Sequence, residues 1–443
     1  MDQDMQNKID AIFADVNRSD SPGCAMGIVQ DGELIYTQGY GMANLECEMP
    51  IDSASIFHVA SVSKQFTCMA ILLLLQDGKL KLDDDVRRYI PELPDYGDVI
   101  TIRHLAHHIS GLRDQWELLR YAGWREDDVK TNDDVLYLAA RQRGVNFRPG
   151  EEYLYCNTGY TLMAIIVERL SGQLFRAFTT ERIFKPSGMA RTHFHDFHGE
   201  LVVGRTSAYQ KRQEGGYQVS IPMFDTVGAT SLFTTVEDLA RWAHNFETGV
   251  VGSDVLDVMH KQGVLNSGEQ IGYALGQSVE TYRGLKQVQH SGSDAGYRSH
   301  FVRFPEQNAA MIVLSNLNTS NPGGRVRQMM DVYFEGILEP LPKKASEEET
   351  VSAKEKVEVD VICADYLGDY YCYDVDATYR VFDDDGLQVY RPKRGTGNLK
   401  CNEADVFNHG SETWRFQRSG DGCVCGVSIS SGRVRNLWFA RQS

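Results

Sequence analysis

Eight consecutive apolar residues, Cys68-Met69-Ala70-Ile71-Leu72-Leu73-Leu74-Leu75, leave this chain no polar face to show to water. A helix that is apolar all round is stable only when other elements cover every side of it. The run is far shorter than the ~20 residues that cross a bilayer, so the cover has to come from the protein itself. Asp77-Gly78 offers a left-handed stop at its end. Upstream lies Ala60-Ser61-Val62-Ser63-Lys64-Gln65-Phe66-Thr67. At 3.6 residues per turn Ser61 and Lys64 share a face. A serine hydroxyl becomes a nucleophile when a base takes its proton, and a lysine whose ammonium form is disfavoured by burial is such a base. The helix N-terminus adds N–H groups and a positive dipole end where an acyl oxyanion would form. Alone, a Ser-x-x-Lys spacing describes many solvated helix faces, so other segments have to support it.

Two do. Tyr155-Cys156-Asn157 follows the turn Pro149-Gly150 and opens an apolar helix that closes at Ser171-Gly172. It sets a phenol and an amide at one helix start; the plainer alternative is a core tyrosine beside an N-cap asparagine. Gln289-His290-Ser291-Gly292-Ser293 reads as the end of a strand. Glycine at 292 lets that strand edge approach a bound ligand closely, with the next N–H facing it. His290 can act as a donor, as a base or only as a strand-end residue. The three histidines 104, 107 and 108 lie within five residues, but no carboxylate is placed beside them to hold a metal, and helix packing is the reading preferred.

Around these segments the pattern is mixed. Residues 5–17 are amphipathic, and Cys24–Gln30 and Leu34–Gly41 alternate about Asp31-Gly32, a hairpin signal. From 339 to 357 the chain is charged and poor in large apolar residues, a linker signature. Beyond it come short alternating runs, Tyr379–Phe382, Leu387–Tyr390, Trp414–Gln417, Cys423–Ile429 and Val434–Phe439, at the spacing of a small all-β barrel. The expected division is therefore 1–338, a linker at 339–357, and 358–443. A net charge of −16 argues against nucleic acid and anionic membranes as partners. Nine cysteines, with no leader evident at the acidic N-terminus, read as free thiols in a reducing, cytoplasmic setting.

Taken in order, Gly39-Tyr40-Gly41-Met42-Ala43-Asn44-Leu45-Glu46, the Ser61 segment, Ser110-Gly111-Leu112, Tyr155-Cys156-Asn157-Thr158-Gly159-Tyr160 and His290-Ser291-Gly292 resemble the penicillin-recognising serine hydrolases. The resemblance runs over roughly residues 5–335, and points to the branch holding class C β-lactamases, DD-peptidases, D-aminopeptidases and related esterases. It implies an α/β (α+β) domain with an antiparallel sheet flanked by helices, an all-α subdomain over about 85–170, and a C-terminal lipocalin-like barrel. It also implies Ser61 as acylated nucleophile, Lys64 as its proton partner, Tyr155 as acid or base toward the leaving group, and Asn157 as a hydrogen-bonding partner of the substrate amide. The oxyanion hole would be the N–H groups of Ser61 and Ser293, beside Gly292.

His290 departs from the Lys-Thr-Gly of class C β-lactamases and matches the His-x-Gly of D-aminopeptidases and some DD-peptidases. Because histidine is only partly charged near neutrality, carboxylate capture at this position is expected to be weak. The resemblance thus implies a peptidase or amidase acting beside a D-residue, with no metal or organic cofactor, a small peptide, amide or ester substrate, and a possible homo-oligomer. An esterase or promiscuous β-lactamase on the same residues is the alternative within the class. A catalytically silent scaffold or ligand sensor is the alternative outside it. The turn Asp383-Asp384-Asp385-Gly386 can be a loop that reaches the cleft to hold an ammonium or, more plainly, an exposed hairpin turn.

Overall fold

A computed structural model describes residues 1–340 and 363–443. The linker expected at 339–357 falls, from 341 onward, outside the described residues.

The larger part is built on an antiparallel sheet of β1 (Cys24–Gln30), β2 (Glu33–Tyr40), β3 (Ser278–Tyr282), β4 (Leu285–Asp294), β5 (Tyr297–Phe304) and β6 (Ala309–Ser315), in the order β3-β4-β5-β6-β1-β2. The first hairpin turns on Asp31 and Gly32, both at positive φ, as a two-residue turn between twisted strands requires. It completes the sheet by pairing β1 with β6, from Cys24 opposite Ser315 to Gln30 opposite Ala309. Alternation assigns the two faces. Met26 and Ile28 join Ile9, Val326 and Met329 under α1 (Gln3–Ala11) and the C-terminal helix, whereas Ala25 and Val29 face the main core. Helix α1 is shorter than the amphipathic pattern, ending at Ala11, yet the turns that follow still bury Phe13 and Val16.

The main core surrounds α2 (Lys64–Gln76), every residue of which is buried from Lys64 to Leu74. The subdomain against it carries α3 (Gln115–Tyr121), α4 (Asn132–Arg141) and α5 (Asn157–Ser171). It is not wholly helical: Lys130–Thr131 pairs in parallel with Phe224–Asp225. Helices α6 (Val236–Thr248) and α7 (Pro322–Tyr333) cover opposite faces of the sheet.

The C-terminal part is a nearly closed antiparallel barrel of β7 (Gly368–Cys372), β8 (Ala377–Asp383), β9 (Leu387–Arg391), β10 (Gly395–Asn398), β11 (Lys400–Glu403), β12 (Val406–His409), β13 (Glu412–Arg418), β14 (Val424–Ser430) and β15 (Leu437–Arg441). Its order is β10-β9-β8-β7-β15-β14-β13-β12-β11. Across the opening, His409 Nδ1 of β12 lies 3.1 Å from the carbonyl of Asn398 in the end strand β10. Its interior does not close on itself alone. Leu118, Leu119 and Tyr121 of α3 share one apolar cluster with Tyr370, Tyr379, Trp414 and Phe439, and Tyr379 donates to the carbonyl of Tyr121 at 2.7 Å. The barrel is therefore seated on the helix that follows Asp114.

Candidate active site

Ser61 stands in a tight 3-10 turn, Ala60–Ser63, rather than in the helix proper, which begins at Lys64. The turn is held from outside. Ser299 Oγ donates to the carbonyl of Val59 at 2.8 Å, and the N–H of Leu232 donates to Ser63 Oγ at 3.0 Å. Ala60 is forced to a φ of 48°, the left-handed region that a β-carbon disfavours. Strand β4 presses on this turn at Gly292, where an added Cβ would lie 2.2 Å from the Val59 carbonyl oxygen and 3.0 Å from Cβ of Ala60. The close approach expected of Gly292 is thus made to the chain's own backbone next to Ser61.

Lys64 is completely buried and holds three acceptors: Ser61 Oγ at 3.0 Å, Asn157 Oδ1 at 2.9 Å and the carbonyl of Ala229 at 2.7 Å. Burial pulls its pKa well below the ordinary lysine range, while the carboxylates of Asp294 and Asp114 pull it partly back. When the amine is neutral it has two protons and a lone pair. The two carbonyl-type oxygens can only accept, so they claim the protons and leave the lone pair aimed at the Ser61 hydroxyl. The same burial raises the carboxyl of Asp294, and the Thr230 hydroxyl that donates to it and the nearby Lys64 charge pull it partly back.

Asn157 opens α5 and is clamped in one orientation. Its backbone N–H and its Nδ2 both donate to Asp114, at 2.7 and 2.8 Å, and its Oδ1 faces Lys64. One amide proton remains for any substrate. Two residues earlier, Tyr155 packs on His108 with ring centroids 4.2 Å apart, and Lys64 Nζ is 4.9 Å from the Tyr155 centroid. The phenol is buried without a hydrogen-bond partner among the described residues. Burial drives its pKa far up, and the Ser61 hydroxyl is the first group to bring it back.

His290 lies in the wall of the same cavity with both ring nitrogens occupied. Nδ1 is 2.6 Å from the Ser291 carbonyl, which only accepts, so the proton resides there. Nε2 then accepts from the Tyr273 hydroxyl at 2.9 Å. Burial, assisted by Lys64, holds the ring down to about 3, so it is neutral near pH 7. The other histidines are absorbed by packing. His104 caps its own helix, His107 sits between the carbonyls of Arg103 and Lys261, and His108 Nδ1 accepts from the N–H of Cys156.

Ser61, Tyr155, Asn157 and His290 line a cavity of about 710 Å³ that also includes Gly292, Ser293, Asp294, Asp114, Glu117, Arg120 and Lys130, with Lys64 buried behind Ser61. The barrel contributes Ser411 and Arg433, whose guanidinium lies 5.3 Å from the Tyr155 ring centre. The acidic turn Asp383–Gly386 stays exposed on the β8–β9 hairpin, closes on itself through the Asp384 N–H and Gly386 carbonyl, and is not among the residues that line the cavity. The barrel segments that do reach the cleft are the β12–β13 turn, through Ser411, and the loop between β14 and β15, through Arg433. Asp114, Asp294 and Arg433 were missed in the sequence. Asp114 carried only the signal of an acid before a helix, and it does cap α3 through the N–H of Trp116. Elsewhere, donor atoms of His193, His195 and Glu200 come within 4.8 Å of one another, but Glu200 is already clamped by Arg176. All nine cysteines are free. Among the described residues no helix is long and apolar enough to cross a membrane.

The family model described as Beta-lactamase matches residues 8–331. Penicillin-binding protein 4* of Bacillus subtilis is 27% identical over 400 residues, covering 84% of this chain and 85% of that protein. A D-aminopeptidase of Gluconobacter oxydans is 27% identical over 310 residues, covering 69% of this chain and 58% of its own length. Among solved structures, the octameric penicillin-binding protein homologue from Pyrococcus abyssi superposes with a TM-score of 0.67 at 22% identity, covering 100% of each chain.

Proposed function

The chain belongs to the beta-lactamase family, and from that premise we propose that it is a serine hydrolase acting through an acyl-enzyme on Ser61, with a peptide or amide of a D-residue as substrate. The observation that carries the reading is the triple contact of Lys64. Two acceptor oxygens fix the amine so that its lone pair meets the Ser61 proton, and burial keeps that lone pair available near neutrality. Ser61 Oγ attacks the substrate carbonyl as Lys64 takes its proton, and the N–H groups of Ser61 and Ser293 receive the oxyanion. Tyr155, kept a neutral phenol by burial, is suited to hand a proton to the departing amine. Water then cleaves the ester by the reverse proton path. Asn157 and Asp114 orient Lys64, and neutral His290 shapes the wall. Preference for a D-residue is supported by the D-aminopeptidase relative and by the His-x-Gly at 290–292.

The test is hydrolysis of paired D- and L-alanine p-nitroanilides. Turnover of the D form is expected, falling more than about 10³-fold in Ser61→Ala. Cleavage of p-nitrophenyl acetate alone, through Ser61, would turn the reading to an esterase. Failure of a fluorophosphonate to label the native protein would turn it to a silent scaffold.

A further inference from the structure

The loop joining β14 to β15 carries Arg433 into the Ser61 cavity, and it is fastened there by its backbone. The Arg433 N–H donates to the Glu117 carboxylate at 3.1 and 3.2 Å. Its carbonyl accepts from the N–H of Asp114 at 3.3 Å and from Asn146 Nδ2 at 2.9 Å. The next residue, Val434, is fully buried, and the Arg435 N–H donates to Asn146 Oδ1 at 2.8 Å. With both peptide groups anchored, the side chain is presented at a fixed place.

That side chain is not consumed by the fold. Its guanidinium makes no hydrogen bond among the described residues and its side chain is 41% exposed. Its nearest carboxylate, Asp114, is 3.7 Å away and has its oxygens taken by Asn157 and the N–H of Trp116. The other bases of the cavity are differently placed. Lys130 is spent on the carbonyls of Arg125, Glu126 and Asp128. Arg120 makes no side-chain hydrogen bond among the described residues either, but its guanidinium lies over the Tyr121 ring, 3.6 Å from the buried Glu412, and not over Tyr155. His290 is neutral. Arg433 and Lys64 lie against the same tyrosine ring, at 5.3 and 4.9 Å from its centre. A planar fork of unspent N–H donors beside the nucleophile matches a carboxylate, which it can bind through two parallel bonds. The acidic neighbours Glu117 and Asp294 disfavour a more highly charged anion such as phosphate.

We infer that Arg433 is the substrate-carboxylate subsite, so that the barrel selects short peptides ending in a free carboxylate over neutral amides. The inference rests on the peptidase reading above, but its test is a binding measurement that needs no turnover. Full-length Ser61→Ala protein is titrated calorimetrically with D-alanyl-glycine and with D-alanyl-glycinamide. The acid is expected to bind at least about tenfold more tightly. Arg433→Gln in the same background should abolish that difference while leaving the amide's affinity within twofold, and Arg433→Lys should restore part of it. Equal affinities in the parent, or a difference that survives Arg433→Gln, would overturn the assignment. An equal loss for acid and amide would also overturn it, since that is the signature of altered Tyr155 electrostatics or loop position. Turnover of the D-nitroanilide by the wild-type protein, measured separately, decides the peptidase reading whichever way the titration falls.

Discussion

At the scale of single residues, the groups around the Ser61 hydroxyl are held in place by hydrogen bonds. Asn157 is held at both ends of its amide, Lys64 at two of its three positions, and His290 at both nitrogens. The proton between Ser61 and Lys64 keeps latitude, as does the phenol of Tyr155, which has no hydrogen-bond partner among the described residues. The acid limb of the rate profile then belongs to Lys64, with Asp294 as its neighbouring anion, and it should lie well below the ordinary lysine range. An anion beside an ammonium favours the charged form, so Asp294 raises the pKa of Lys64. Asp294→Asn removes that anion and is expected to move the limb of kcat/KM to lower pH. A pH series on variant and parent, with one chromogenic substrate, checks it; a limb that moves upward contradicts the assignment.

At the scale of elements, the turn that carries Ser61 depends on a strand pushing against it. Strand β4 abuts Val59 and Ala60 through Gly292, and β5 fastens the same turn through Ser299. Gly292→Ala places a methyl 2.2 Å from a backbone oxygen, which no side-chain rotation relieves. The variant is expected to lose about 1–3 kcal/mol of stability and more than about tenfold in kcat. Urea denaturation and initial rates report both, and an unchanged kcat would show that the strand does not set the geometry at Ser61. This coupling also marks what was legible in the sequence. Ser61, Lys64, Tyr155, Asn157 and His290 lie in short contiguous patterns; the structure brings Ser61, Tyr155, Asn157 and His290 to one cavity, with Lys64 buried behind Ser61. The 3-10 turn under Ser61 was not legible, because it is imposed by Ser299 and Leu232, far along the chain. In the barrel, β8, β9 and β13 alternate clearly, whereas β10 (Gly395-Thr396-Gly397-Asn398) and β11 (Lys400-Cys401-Asn402-Glu403) are almost wholly exposed and have no apolar face to read. The Asp383–Gly386 turn drew attention by its charge, but charge does not say which hairpin end faces the cleft.

At the scale of the whole molecule, the barrel and the larger part are joined by the residue that precedes Asp114, the clamp on Asn157. Arg113 is buried and donates to Asp374 at 2.9 Å, to Gln142 at 3.0 Å, and to the carbonyls of Arg435 and Asn436 at 3.1 and 3.2 Å. Its own carbonyl accepts from Thr158, next to Asn157, and Asp114 follows it in the chain. Barrel seating and the orientation of Asn157 are thus read by adjacent peptide groups. Asp374 also binds Arg143, so one carboxylate balances two guanidiniums, one of them out of water. Removing a partner from such a pair is costly because the remaining charge is left in a poorly solvated place. Asp374→Ala is therefore expected to cost about 3 kcal/mol in urea unfolding. It should also weaken turnover, although the substituted residue does not line the Ser61 cavity. A stability loss with rates unchanged would mean that the barrel is held to the hydrolase part without influencing it. Loss of both means that the cleft is assembled only when the barrel is seated.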